Sequence, residues 1–175
     1  GSSMGLLAGD KVTLHDLLYG LMLASGNDGA NVIAFTLGGS LEGFVKMMNQ
    51  KAEEMGLQNT SFATPSGLDD ENHYSTAYDM ALLSRYAMSY SPIRNIVSRE
   101  TYKISASGKY KGTTLKNTNK LLANEDSTNS YTIIGTKTGS TRAAGKCLIA
   151  TAIDDAGHEV ICAYFGATSS TNLYQ

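Results

Sequence analysis

The spacing of apolar residues changes once along this chain, near residue 98, and that change limits the fold more than any other feature. Upstream of it the repeat is helical. Leu14, Leu17, Leu18, Leu21 and Met22 share one helix face, behind a start at Thr13 with Asp16 three residues on, a capping box in which Asp replaces Glu. The turn formers Ser25-Gly26-Asn27-Asp28-Gly29 predict a stop near Ala24, so that Ser25 and Asn27 sit on a tight turn between two buried helices, the second over residues 30–37. Gly38-Gly39 ends that helix, Ser40 caps a third reaching about Met55, and Gly56 is its left-handed stop. Residues 57–74 read as a structured surface loop. Thr76 with Asp79 then opens a helix whose apolar stripe is Met80, Leu83, Tyr86 and Ala87, and Pro92 starts a short one.

Downstream the repeat is two. Thr101-Tyr102-Lys103-Ile104 and residues 110–115, separated by Ser107-Gly108, predict a hairpin; a polar stretch over 117–130 follows, and strands over 131–137, 147–153 and 159–165 close the chain. Helices first and strands afterwards argue an α+β fold, with a mainly helical part over residues 1–98 and a mainly antiparallel sheet part over 99–175. Three strands make a thin sheet to cover so many helices, and a piece of the fold is expected to be missing.

A length of 175 residues suits one domain. Fourteen Lys plus Arg against sixteen Asp plus Glu, with the signs interspersed, give no electrostatic footprint, which sets nucleic acid and lipid surfaces aside as partners. No apolar run approaches a membrane span, and no signal peptide is visible. Cys147 and Cys162 fall on consecutive strands; directly opposed cysteines fit disulfide geometry poorly and two thiols alone make no metal set, so both are expected as buried free thiols. Asp69, Asp70 and His73 are expected in a hydrated loop with structural hydrogen bonds, not at a metal. His15 and His158 are expected at the surface without partners, and Tyr74, Tyr78, Tyr86 and Tyr90 in helix and loop packing.

The chemistry concentrates in Ile133-Ile134-Gly135-Thr136-Lys137-Thr138-Gly139-Ser140-Thr141. An edge strand here would offer Lys137 as a point charge for an anion and Thr138 as a hydroxyl donor beside it. Gly139, with no Cβ, lets a ligand backbone lie close, so that the Ser140 N–H can point at a bound carbonyl oxygen. The same tripeptide also suits a solvated turn, as Ser25-Gly26-Asn27 suits a plain interhelical turn, and neither decides alone.

Together, Ser25-Gly26-Asn27 and Lys137-Thr138-Gly139 resemble two of the three signature elements of the penicillin-binding proteins and class A β-lactamases. The segment from Asp10 to Asp28, then Ser66-Gly67-Leu68-Asp69, Tyr74-Ser75-Thr76-Ala77-Tyr78-Asp79 and Asn117-Thr118-Asn119-Lys120-Leu121-Leu122 are similar to the low-molecular-mass D-alanyl-D-alanine carboxypeptidases, in family order. The resemblance implies a β-lactamase/transpeptidase-like fold and an extracytoplasmic enzyme of the bacterial cell envelope. It implies a serine acyl-enzyme that removes the terminal D-Ala from peptidoglycan stem peptides ending in D-Ala-D-Ala, with β-lactams as inhibitors. No cofactor and no metal are implied. By the same resemblance, Ser25 relays a proton to the leaving amine and the Asn27 amide holds the substrate backbone. Lys137 and Thr138 bind the terminal carboxylate, Gly139 leaves room for it, and Ser140 gives one oxyanion N–H.

One element departs from the pattern. The family's nucleophile is the serine of a Ser-x-x-Lys, and no serine of this chain is followed three places later by lysine; Thr113 with Lys116 is the nearest imitation, on the wrong side of Ser25 in chain order. Gly1-Ser2-Ser3-Met4 resembles the family's sequence just before the Asp10 segment. The expectation is a chain that begins inside the domain, without the first two strands and the nucleophile helix, inactive by itself and inclined to self-associate through open sheet edges. Two alternatives stand beside it: a nucleophile-free module that binds cell-wall peptides, and a class A β-lactamase-like hydrolase. The latter would need a deacylating Glu, for which the loop offers only Glu71.

Overall fold

The computed structural model describes residues 1–123 and 130–174. Five α-helices precede the strands: α1 Leu14–Ala24, α2 Asn27–Gly38, α3 Leu41–Glu54, α4 Ala77–Met88 and α5 Ser91–Val97. A ribbon of β1 Thr101–Ile104 and β2 Thr113–Lys116 follows, then a 3₁₀ turn Lys120–Ala123, then β3 Tyr131–Thr141, β4 Gly145–Asp154, β5 Glu159–Ala167 and a last short helix, α6 Ser170–Tyr174. Both sheets are antiparallel, the larger in the order β3-β4-β5. This is the expected α+β architecture. Of the polar stretch expected over 117–130, residues 124–129 lie outside the described residues.

Local chemistry explains where the helices start. Thr13, Ser40 and Thr76 are N-caps whose hydroxyls accept from the N–H groups of Asp16, Gly43 and Asp79, satisfying donors that a helix leaves open. Gly56, at φ +71°, follows α3 as the left-handed stop. The helix after Ser25 begins at Asn27, three residues before its apolar run, because Asp28 and Gly29 fit a first turn as well as a loop.

A first core lies between α1, the ribbon and the opening residues, built from Met4, Leu17, Leu23, Ile104, Tyr110 and Leu115. Tyr19 stacks on Tyr102 with centroids 3.5 Å apart and planes 5° apart, and the buried Tyr110 hydroxyl donates to the Met4 carbonyl at 3.1 Å. The opening residues are held by Asp28, which accepts from the Ser3 hydroxyl at 2.6 Å and from the N–H groups of Met4, Gly5 and Leu6 at 3.0 Å each. Burial pushes this carboxyl up, but the Ser3 hydroxyl and the N–H groups of Leu6, Met4 and Gly29 outweigh it and hold the group below its ordinary value.

The second core joins helices to the larger sheet. α4 packs on β4 and β5, and α5 on β3. The face of α4 turned inward carries Asp79, Ser84 and Met88, whereas Tyr86 of the expected stripe is exposed. Small residues allow this approach: the Ser84 hydroxyl donates to Thr136 Oγ1 at 3.4 Å, and Thr136 shares a hydrogen bond of 2.7 Å with Thr151, which is fully buried. Asp79 ties the 57–74 loop to α4 by accepting from the Asn59 N–H and the Thr60 hydroxyl, both at 2.8 Å. A bidentate Arg94–Glu159 pair links α5 to β5.

Four expectations are corrected. α2 is not buried: Val32, Phe35 and Leu37 are 42%, 63% and 56% exposed, because only its Gly29, Ala30, Ile33 and Ala34 side meets other elements. The second ribbon strand starts at Thr113 rather than 110, after Gly112 turns the chain at φ +74°. Cys147 is half-buried and Cys162 exposed, both free; Cys162 sits opposite Ala150, on the alternation of β5 that also exposes Val160 and Tyr164. Both histidines expected to stand alone have partners: His158 pairs with Asp154 at 2.9 Å, and His15 Nδ1 lies 3.4 Å from the Tyr102 hydroxyl.

Two glycines of β3 lie in opposite circumstances. A Cβ on Gly135, at φ +150°, would stand 2.7 Å from Cγ2 of the fully buried Val97, whereas one on Gly139 would meet only Cys147 Cβ at 3.6 Å. Gly135→Ala is therefore expected to cost about 1–3 kcal/mol in urea unfolding, and Gly139→Ala to stay within about 0.5 kcal/mol of the parent. Equal costs at the two positions would refute this account of β3.

Candidate active site

Ser25 closes α1 in the left-handed region, at φ 55° and ψ 38°, the only non-glycine residue with positive φ among the described residues. Serine tolerates that conformation poorly, and the cost is on the order of 1 kcal/mol. What it achieves is placement: the N–H groups turn back onto the last turn of α1, Gly26 N–H reaching the Gly20 carbonyl at 3.0 Å, and the side chain points across to β3.

There it meets Lys137. The Lys137 ammonium donates to Ser25 Oγ and, at 2.8 Å, to the Thr138 carbonyl. Both acceptors are uncharged. Burial with no carboxylate beside it pushes the Lys137 amine down to about 8. Residues 112 positions apart in sequence thus form one polar contact, made possible because β3 is an edge strand whose free side faces the α1–α2 junction.

After a register shift between Ile133 and Gly135, β3 continues to Thr141, beyond the expected end at residue 137, so Thr138, Gly139 and Ser140 are strand residues paired with Leu148, Cys147 and Lys146. Thr138 Oγ1 shares a hydrogen bond of 2.6 Å with Thr118 Oγ1, and the Thr118 N–H is bonded to the Leu23 carbonyl at 3.1 Å. The Asn117-Thr118-Asn119 turn therefore bridges the end of α1 and β3. Sequence reasoning gave it no role, although two asparagines flanking a threonine in a polar stretch are a turn signal. Asn119 is 2% exposed, and its Nδ2 has no hydrogen-bond partner among the described residues.

Asn27 is the first residue of α2 and not a turn residue. Its N–H donates to the Ser2 carbonyl at 3.0 Å and its amide lies against Gly1, so residues 1 and 2 run along this wall. No hydrogen bond joins the Asn27 side chain to Lys137 among the described residues. Ser140 and Gly139 are exposed at the far end, where Ser140 Oγ accepts from the Lys146 ammonium at 2.9 Å.

The acidic loop has structural hydrogen bonds, as expected. His73 Nδ1 accepts from the N–H groups of Ala63 at 3.0 Å and Thr64 at 3.3 Å; burial lowers its pKa against the raising effect of Asp70 and Asp69. Asp69 accepts from the Ala143 N–H at 3.2 Å, closing the loop over the β3–β4 turn.

Residues 1–169 match the family model described as D-alanyl-D-alanine carboxypeptidase, peptidase S11. The chain is 39% identical over 170 residues to the D-alanyl-D-alanine carboxypeptidase DacF of Bacillus subtilis, a match covering 97% of this chain and 42% of that protein. It is 38% identical over 173 residues to DacD of Escherichia coli, again covering 97% and 42%. Among solved structures it is similar to the Streptomyces K15 DD-transpeptidase, with TM-score 0.88, 36% identity, and 97% and 66% of the two chains covered. A D-alanyl-D-alanine carboxypeptidase of Mycobacterium tuberculosis gives TM-score 0.85 at 30% identity, covering 97% and 62%. The chain thus spans 42% of the length of the curated relatives named here. No helix among the described residues is long and apolar enough to cross a membrane.

The lowered amine of Lys137 has a measurable consequence. An unfolded lysine keeps its proton up to about 10.5 whereas the folded Lys137 releases it near 8, so between these values the unfolded state binds more protons and stability rises with pH. Urea midpoints at about pH 7 and about pH 9.5 are expected to show the chain gaining stability relative to Lys137→Met. A gap between parent and variant that stays constant with pH would refute the burial of this amine.

Proposed function

Because the chain belongs to the D-alanyl-D-alanine carboxypeptidase family, we propose that it is the part of a serine-type enzyme that holds one wall of the cleft and the proton relay. The reaction is release of the terminal D-Ala from peptidoglycan stem peptides ending in D-Ala-D-Ala. It takes place outside the cytoplasm, in the bacterial cell envelope, and β-lactams are covalent inhibitors of the complete enzyme. The observation that carries this reading is the Ser25–Lys137 hydrogen bond, which connects the two motifs that the sequence resemblance singled out.

The roles are those the family resemblance implies, and the positions of these side chains support them. The open edge of β3 receives the extended end of the peptide as an added strand, with Gly139 leaving room for its backbone and the Ser140 N–H donating to the scissile carbonyl oxygen. The Lys137 ammonium and the Thr138 hydroxyl, the latter oriented by Thr118, bind the terminal carboxylate. Ser25 passes a proton to the departing amine and is held in line by Lys137. The Asn27 amide takes the opposite side of the substrate backbone. The nucleophile, a serine in a Ser-x-x-Lys, is assigned to a preceding segment of a longer polypeptide, since these 175 residues contain none. Without it the covalent route is absent, and the second oxyanion donor with it, a loss worth about 3–4 kcal/mol of transition-state stabilisation.

A fluorescent penicillin offered to this chain and to a form extended upstream tests the proposal. Covalent label on the extended form alone, at a serine outside the 175 residues, is the expected result. Label on neither form favours a module that binds cell-wall peptides without cleaving them. Rapid release of hydrolysed penicillin from the extended form favours a β-lactamase.

The outer edge of β5 is unpaired among the described residues, which supports association of two copies by strand pairing. Light scattering is expected to show a mass that grows with concentration. A strict monomer at high concentration would remove self-association from the proposal.

A further inference from the structure

The geometry points to a second, independent reactivity: Ser25 Oγ is itself a nucleophile toward small activated acyl donors, with the Lys137 amine as its proton acceptor. The direct hydrogen bond between Lys137 Nζ and Ser25 Oγ is the arrangement a serine–lysine dyad requires, base and hydroxyl in contact without an intervening group. The only other hydrogen-bond partner of Nζ is the neutral Thr138 carbonyl, so no carboxylate among the described residues holds the amine in its ammonium form. Burial lowers Lys137 to about 8, which gives a substantial fraction of free amine in mildly alkaline solution. The left-handed backbone at Ser25 fixes the direction of its side chain, and Lys137 projects from a paired strand, so both groups stand on rigid elements.

A second serine–lysine contact in the chain makes the comparison internal. Ser140 and Lys146 are 2.9 Å apart but lie in the exposed part of the β3–β4 hairpin, where water competes for both groups. Proximity alone is common to the two pairs. A withdrawn amine and a fixed hydroxyl belong to Ser25 and Lys137.

With p-nitrophenyl acetate the step balances simply. Ser25 Oγ forms a bond to the ester carbonyl carbon as its proton passes to Lys137 Nζ. The carbonyl carbon–oxygen bond to the leaving group then breaks and p-nitrophenolate departs with the electron pair. Lys137 returns its proton to water, and one acetyl ester remains on Ser25. Turnover is not part of the inference, because the acetyl group stays until an outside nucleophile removes it.

The experiment is acetylation of the full chain with p-nitrophenyl acetate, with the site located by peptide fragmentation and each adduct tested with hydroxylamine, which cleaves esters and spares the amides formed on lysines. One hydroxylamine-labile acetyl on Ser25 is expected, its rate of formation rising with pH to a midpoint near 8. Ser25→Ala is expected to abolish it and Lys137→Arg to slow it at least tenfold, since arginine keeps the charge but accepts no proton. Ser25→Cys, of nearly the same size, retains labelling at position 25 and separates lost chemistry from lost folding, which circular dichroism checks for every variant. Labile acetyl on Ser140 in place of Ser25, an undiminished rate in Lys137→Arg, or labelling equal to that of urea-unfolded chain would overturn the inference. Penicillin labelling of an extended form is unaffected by any of these results, so the two readings fail separately.

Discussion

Everything in the cleft depends on how β3 is held against the helices just before its lysine. At Gly135 the strand comes so close to α5 that even a methyl group would strike Val97. One residue on, the Thr136 hydroxyl joins Ser84 of α4 and Thr151 of β4 inside the core. Buried hydroxyls are costly unless paired, and here three pair with one another, so strand, helix and neighbouring strand share one register. A slip of one residue would turn Lys137 to the opposite face and separate it from Ser25. The position of Lys137 beside Ser25 is therefore set by residues outside that contact.

The opposite wall is fixed by a different force. Asp28 gathers the Ser3 hydroxyl and three successive N–H groups around one carboxylate, which orders residues 3–6 across the start of α2 and packs Met4 against Gly20 and Gly29. Charge-assisted bonds of this kind are individually stronger than neutral ones, although solvent weakens those at the exposed Ser3 and Gly5. They set the spacing of α1 and α2, and with it the turn that aims Ser25.

Much of this was legible in the sequence, and the limit is physical. The three N-caps at Thr13, Ser40 and Thr76 follow from residue type and short-range spacing, as do the three final strands and the α+β class. The end of β3 was less readable, because Thr-Gly-Ser-Thr carries turn composition and only pairing with β4 keeps it extended. The exposed outer side of α2 and the inward-facing Ser84 depend on what packs against each helix, which a period cannot report. Ser25 and Lys137 came together through resemblance to a family and not through periodicity, since nothing local relates residues so far apart. Thr118, which orients Thr138, and Asp28, which holds the opening residues, were found only in three dimensions.

The left-handed backbone at Ser25 also restricts which residues evolution can place there. Threonine carries the same hydroxyl, yet its branched Cβ is still less suited to φ 55° than serine, whereas glycine and asparagine accommodate it. Among chains that keep this helix junction, the residue facing the strand lysine should avoid every β-branched side chain, a restriction dictated by the backbone before any chemistry is considered.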